Sequence, residues 1–339
     1  MKRLTFLLLA CLTALALTAC GAEKPQEISL FAMDTYMTLA AYGDSADEAL
    51  TAASREINRL EATLSRTIDT SDVSRLNAGE AVVVQPETRA LLERALTLSD
   101  ETGGTFDMTV APLVALWGIT SDAPRVPSQE EIDALLPLVG GEHVHMDDAV
   151  TLDAGCAVDL GGIAKGYASQ QVADILRAHG ITSAVVSLGG NVYVCDSKPD
   201  GTPWNVGIQD PAGSGYAAMV SLTDRFAVTS GGYQRYFEAE DGTVYRHILD
   251  PRTGRPADSD LLSVTIISDD GTAADAYSTA LYVMGEQEAV SFWRAHGGFE
   301  LILITADGRL LYTPGLSDAI TKPEDCAYDF QLLTAQPAA

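Results

Sequence analysis

Apolar positions change their spacing several times along the chain, and each change marks an element. From Ala46 onward, Ala49, Ala53, Ile57, Leu60 and Leu64 recur at the three-to-four-residue interval of one helical face, which predicts a helix over 46–64. Asp47 and Glu48 fall in its first turn, where negative charge meets the positive end of the helix dipole. The same interval predicts helices over 88–102, stopped by Gly103-Gly104, over 130–138, ended near Gly140-Gly141, and over 166–179, with Gly180 at the C-cap. Residues 28–42 alternate instead, most clearly from Met33 to Leu39, and read as one strand. The second half is strand-rich, with short runs at 184–188, 192–194, 204–208, 218–222, 226–229, 262–267 and 301–305, interrupted by helical stretches at 273–283 and 287–296. Strands and helices do not alternate one for one. The pattern therefore predicts an α+β fold of mostly antiparallel sheet with flanking helices, not a doubly wound parallel sheet. There is no internal repeat, and Asp122 to Pro127 reads as a surface loop. One domain over 28–325 with a C-terminal tail over 326–339 is the simplest partition.

The N-terminus departs from this pattern. Met-Lys-Arg precedes 16 apolar-rich residues, Leu4 to Ala19, whereas a spanning helix needs roughly 20. A short apolar run behind basic residues reads as a secretory signal over 1–19. It ends Leu17-Thr18-Ala19-Cys20-Gly21, small residues before a cysteine, as a lipoprotein signal peptidase requires. Cys20 is then the expected lipidation site, 20–27 a polar tether, and the body is expected to lie outside or in the periplasm, anchored to the cell membrane. An ordinary cleaved signal with a chance cysteine is the plainer alternative.

Charge and cysteine content narrow the function. With 21 basic and 47 acidic residues the net charge is −26, which argues against nucleic acid or anionic lipid as a partner. Any phosphate site must then be built locally. Beyond Cys11 and Cys20, the cysteines Cys156, Cys195 and Cys326 are odd in number and widely spaced, which fits neither a disulfide framework nor a Cys-rich zinc site. One disulfide among them is compatible with an oxidising compartment.

Four segments carry candidate chemistry. Gly103 to Asp107 offers close backbone approach, a ring from Phe106 and a carboxylate from Asp107, and equally a helix C-cap over a core phenylalanine. Asp159-Leu160-Gly161-Gly162-Ile163-Ala164-Lys165-Gly166 leads into a helix, so its N–H groups suit an anion, although its spacing is not that of a P-loop and a tight turn reads as well. Thr229-Ser230-Gly231-Gly232 brings hydroxyls and amides together, and Tyr245 to Gly254 contains His247, a proton acceptor near neutral pH or a structural histidine, and Asp250 to Gly254, which fits a β-turn. Asp275 and Thr279 are four apart on a predicted helix and share a face, giving a hard-oxygen half-site for Mg²⁺, unless Asp275 only caps the helix. His143 and His145, without a third ligand in sequence, read as a solvated loop or strand edge.

Together with Met33-Asp34-Thr35, Ser71 to Asn77, Gly104 to Val114 with Leu116-Trp117-Gly118, Ser187 to Asn191, Trp204 to Pro211, Thr229 to Tyr233, His247 to Pro256 and Ala274 to Thr279, these segments form nine ordered blocks from about Phe31 to Thr313. In that ordered set the chain resembles the ApbE family of FAD:protein FMN transferases. The resemblance implies two intertwined halves with the site at their seam. It implies that Met33, Thr105, Phe106, Asp107, Asp159, Lys165 and Leu249 line FAD, several through their backbone. It implies that Gly162 (through its carbonyl), Asp275 and Thr279 ligate Mg²⁺, with Ser278 nearby, and that His247 handles a proton. Thr67 stands where the family often carries a larger flavin-contacting side chain. The implied reaction is Mg²⁺-dependent transfer of the FMN half of FAD onto a Thr or Ser hydroxyl of an acceptor protein, releasing AMP; exported or membrane redox subunits are the implied acceptors. Two alternatives stand beside it: hydrolysis of FAD to FMN and AMP, and a lipid-anchored flavin binder without catalysis.

Overall fold

The computed structural model describes residues 24–334; Cys20 and the expected signal segment lie outside them. The elements run β1 (Gln26–Ala32), β2 (Thr35–Ala41), α1 (Ala46–Leu64), α2 (Asp72–Asn77), α3 (Pro86–Glu101), α4 (Ala111–Trp117), α5 (Gln129–Leu135), β3 (Val144–Met146), β4 (Val150–Leu152), α6 (Ala164–Ala178), β5 (Ser183–Leu188) and β6 (Asn191–Asp196). They continue with β7 (Trp204–Gln209), β8 (Tyr216–Leu222), β9 (Arg225–Gly231), β10 (Tyr236–Glu238), β11 (Val244–Arg246), β12 (Leu249–Asp250), β13 (Arg255–Pro256), β14 (Leu261–Ser268), α7 (Gly271–His296), β15 (Glu300–Thr305), β16 (Arg309–Tyr312), β17 (Ile320–Thr321) and β18 (Asp329–Leu332).

Nine strands form the main sheet in the order β1-β2-β5-β6-β9-β14-β15-β16-β18. Every pairing in it is antiparallel except β16 with β18. This is the α+β, mostly antiparallel architecture that the strand pattern predicts. Period-two alternation assigns the two faces. Phe226, Val228, Val264, Ile266, Leu301 and Leu303 point into the core shared with α1, α3, α6 and α7. Their neighbours Ala227, Ile267, Ile302 and Ile304 point the other way, under a small sheet ordered β17-β8-β7. The protein is thus three layers: helices, main sheet, small sheet. On α1, Ala49, Leu50, Ala53, Ile57, Leu60 and Leu64 are buried, and each of the larger side chains contributes roughly 1.5–3 kcal/mol of burial.

Several boundaries differ from the sequence reading, each for a local reason. Residues 28–42 are two strands, because Met33 and Asp34 form a left-handed turn (φ 49° and 59°). Met-Asp lacks the Asn-Gly signature of such turns, so alternation alone concealed it. Gln26 and Glu27, placed in the tether, already belong to β1, and the tail contains β18. The helical stretches at 273–283 and 287–296 meet at Gly285, whose φ of 75° breaks the helix while Asp260 Oδ1 accepts the next N–H, from Glu286, at 2.9 Å. All three cysteines in the described residues are free.

Candidate functional site

The candidate segments converge at the end of the main sheet where β9 finishes, on its helical side. Gly162 lies against Phe106 and Thr279: a Cβ on Gly162 would stand 3.3 Å from Phe106 Cε2 and 3.6 Å from Thr279 Oγ1. Asn77, the last residue of α2, holds the approach to this loop through both amide atoms, donating to the Val158 carbonyl at 2.9 Å and accepting from its N–H at 2.7 Å. Asp159 then folds back on the loop. Its Oδ1 accepts from Gly161 N–H at 2.8 Å, and its Oδ2 lies 3.1 Å from Arg66 Nε.

At the start of α6 the Gly166 N–H does not close a turn onto the Gly162 carbonyl; it donates to Asp275 Oδ2 at 2.8 Å. A side chain at Gly166 would collide with the Gly271 carbonyl and Asp275, so only glycine lets α6 and α7 approach this closely. Two consequences follow. Among the described residues the Gly162 carbonyl has no backbone donor, and the Gly162 and Lys165 N–H groups have no acceptor. The loop thus presents one free carbonyl oxygen and two free amides, with the Lys165 ammonium bound to the Gly161 carbonyl at 3.1 Å.

On α7, Asp275 is 3% and Ser278 0% exposed. Bond directions follow from what each atom can do. Ser278 Oγ donates to the Asp275 carbonyl at 2.9 Å, so it accepts from Ser230 Oγ at 2.8 Å. Ser230 has one hydroxyl proton and has given it away, so it accepts from Thr279 Oγ1 at 3.3 Å. Thr279 therefore turns its lone pairs away from Ser230. Asp275 Oδ1 receives no donor from the described residues. Asp275 Oδ1, Thr279 Oγ1 and the Gly162 carbonyl are three hard, uncommitted oxygens, a set that fits Mg²⁺, which takes few protein ligands and fills its octahedron with phosphate and water. Ser278 is placed differently: its hydroxyl proton goes to its own helix and one lone pair to Ser230, which leaves one lone pair on a side chain buried behind Thr279. No cluster of three His, Cys, Asp or Glu side chains suited to a metal exists among the described residues.

His247 sits beyond β11, half-buried. Its backbone N–H and its Nδ1 both meet the Arg235 carbonyl at 3.1 Å. A carbonyl only accepts, so Nδ1 carries the proton and Nε2 the lone pair. Burial pushes the imidazole down to about 4, the Arg235 carbonyl opposes this, and the Arg235 and Lys165 charges add to the depression. The ring is neutral at pH 7, with the Nε2 lone pair open to accept a hydrogen bond.

The remaining predicted residues divide into liners and supports. Thr105 and Phe106 are buried in the turn after α3. Asp107 accepts from Ser99 Oγ at 3.1 Å and from Thr109 N–H and Oγ1 at 2.7 and 2.6 Å, bonds that fix its carboxylate and leave one lone-pair site on Oδ2. Leu249 packs with Leu113, Trp117 and Ile132, and Trp117 Nε1 donates to the Gly254 carbonyl at 2.8 Å, which docks the β12–β13 hairpin on α4. Asp250 to Gly254 is the β-turn of the plainer reading. Met33 holds the β1–β2 turn to α1 through its N–H, 2.7 Å from Glu61 Oε1. Thr67 is exposed and bonds only Ser65. His143 and His145 share Asp153 at 3.0 and 2.7 Å, on a separate hairpin. Ser230 and Arg235 were not singled out from sequence, although Ser230 falls in the hydroxyl-rich 229–232 run, which signalled it.

Comparison with known proteins identifies the family. The ApbE family model matches residues 33–303. A Treponema pallidum FAD:protein FMN transferase is 37% identical over 286 residues, covering 78% of this chain and 79% of its own. The crystal structure of the Thermotoga maritima ApbE protein superposes with a TM-score of 0.79 at 35% identity, covering 85% of this chain and 96% of that one. The Pseudomonas stutzeri flavinyl transferase ApbE gives 0.79 at 30% identity, covering 89% and 98%. Matched over most of its length by sequence and by structure, the chain is a member of the ApbE family.

Proposed function

We propose that the protein transfers the FMN half of FAD to a Thr or Ser hydroxyl of an acceptor protein and releases AMP. The observation that carries this reading is the pairing of an uncommitted oxygen set (Asp275, Thr279, the Gly162 carbonyl) with a neutral histidine whose Nε2 is free. The free Gly162 and Lys165 amides and the Lys165 ammonium suit the pyrophosphate at the head of α6. Mg²⁺ bound at the oxygen set neutralises pyrophosphate charge and improves AMP as leaving group. The chain's own groups do the rest. His247 Nε2 takes the acceptor hydroxyl proton as its oxygen bonds the FMN phosphorus. The bond from that phosphorus to the AMP oxygen breaks, FMN is left as a phosphodiester on the acceptor, and AMP departs.

Incubating protein, FAD, Mg²⁺ and a candidate acceptor, then running a denaturing gel, tests the reading. A fluorescent acceptor band that a chelator abolishes is expected. Free FMN and AMP without a band would indicate hydrolysis instead, and no turnover a binding protein.

We also propose anchoring through lipid on Cys20. Only residues 21–25 separate it from β1, at most about 18 Å of extended chain, which keeps the site close to membrane-borne acceptors. Cys20→Ser should abolish lipid labelling; labelling that persists contradicts the anchor.

A further inference from the structure

We propose that Asp34 and Arg235 form a clamp that fixes the position and tautomer of His247, making both positioning residues for proton transfer; this rests on the transferase reading above.

The clamp begins at the β1–β2 turn. Its two central residues, Met33 and Asp34, are both left-handed, and the Met33 N–H is pinned to Glu61 of α1 at 2.7 Å. The turn is therefore fixed to the helical layer. From it, Asp34 grips one guanidinium at two points: Oδ2 accepts from Arg235 Nη1 at 2.6 Å, and the Asp34 carbonyl accepts from Nη2 at 2.8 Å. Two parallel bonds to a planar cation set its orientation as well as its distance. The Arg235 carbonyl in turn takes both the backbone N–H and the Nδ1–H of His247 at 3.1 Å. A rigid turn thus holds an arginine, and that arginine's backbone oxygen keeps Nδ1 protonated and Nε2 open.

The ion pair is an unpromising source of stability. Its side chains are 42% and 74% exposed, and exposed pairs are screened and contribute little. It nevertheless joins residues 201 apart in sequence. Without it, the 232–236 segment would lose its tie to the β1–β2 turn. The imidazole would then sample the other tautomer, whose Nε2 carries a proton and cannot accept one.

The test uses Arg235→Ala, which removes both contacts, and Asp34→Gly, which removes the carboxylate while leaving a residue at ease in the left-handed turn. Asp34→Asn is the rescue, since its amide oxygen still accepts and asparagine tolerates the same conformation. FMN transfer kcat should fall roughly 10–100-fold in Arg235→Ala, the range for a displaced catalytic group. The drop should be smaller in Asp34→Gly and absent in Asp34→Asn, with FAD Kd within about twofold throughout. Nitrogen NMR of the imidazole rings provides the structural readout. The chain has five histidines, so the signal missing in His247→Ala identifies the one of interest. It should report the Nδ1–H form in the wild type and a growing Nε2–H fraction in Arg235→Ala. Unchanged kcat with an unchanged tautomer overturns the clamp, as does a parallel loss of kcat and FAD affinity, which would make the turn only a flavin support. If the wild type labels no acceptor, the transferase reading fails, while the tautomer ratio still decides the clamp.

Discussion

The two sides of the candidate site are built in opposite ways. On the metal side, Asp275, Ser278 and Ser230 come from a long helix and a central strand, and Asp275 and Ser278 are almost fully buried. The hydroxyls there are ordered by one another, and Gly162 lies against Thr279. On the proton side, His247, Arg235 and Asp34 come from turns and short strands, with Arg235 and Asp34 largely exposed. In the proposed reaction pyrophosphate and metal are small and always the same, so they would suit a preorganised cradle that costs no rearrangement. In the same proposal an acceptor protein must enter and leave, so the proposed base, His247, would be served by an open rim. Rigidity is placed where the ligand is constant, and access where it is a macromolecule.

The largest expected effect breaks the metal side. Asp275→Asn keeps an oxygen for the Gly166 N–H but loses the charge. Transfer should drop by more than about 100-fold, because loss of even an outer-shell partner costs 10–100-fold. Asp275→Ala also strands the Gly166 N–H and should lower stability by about 1–3 kcal/mol. Denaturant melts of the two variants would separate the effects, and wild-type turnover by Asp275→Asn in limiting Mg²⁺ would move the metal elsewhere.

Next in size comes the proton side. His247→Ala should lower kcat by about 10²–10⁴-fold with little change in FAD Kd. A normal kcat with weakened FAD binding would make His247 a binding residue. Its depressed pKa also fixes a pH dependence. The folded ring titrates at about 4, below the usual 6.5 of an unfolded histidine. Between these values the unfolded chain holds the extra proton. Any stability from this group is therefore complete above 6.5 and is lost as pH falls toward 4. The acid limb of kcat/KM for FAD, which reports the free enzyme, should accordingly lie well below pH 6.5 and vanish in His247→Ala. A limb centred near 6.5 would show a solvated ring.

The smallest effect sharpens the contrast. Ser230→Ala removes the acceptor that orients Thr279 while leaving Asp275 in place. Mg²⁺ affinity should weaken about tenfold, the low end for an outer-shell partner, and saturating Mg²⁺ should restore kcat. A kcat that stays low at any Mg²⁺ would show that Ser230 touches the reacting groups.

The contrast also governs what the sequence revealed. Asp275 and Thr279 were legible because helical periodicity places residues four apart on one face. The antiparallel α+β class was legible from the order and length of the apolar runs. Ser278 was placed near the metal by the family resemblance alone, and its bonds to the Asp275 carbonyl and Ser230 left no trace in the sequence. Asp107 looked like a free carboxylate, yet Ser99 and Thr109 hold it in place with three hydrogen bonds. Arg235 was silent, since its partner Asp34 is 201 residues away and no periodicity links them. The β1–β2 turn was hidden because two left-handed residues interrupt an alternation whose composition never changes.

The most direct test of the central claim is the ratio of AMP released to FMN attached, measured together on one reaction with a protein acceptor and saturating Mg²⁺. The account predicts one AMP per attached FMN, with the flavin on a Thr or Ser oxygen by mass spectrometry, and neither product in Asp275→Asn. AMP formed alongside free FMN, with no flavin on the acceptor, would contradict it.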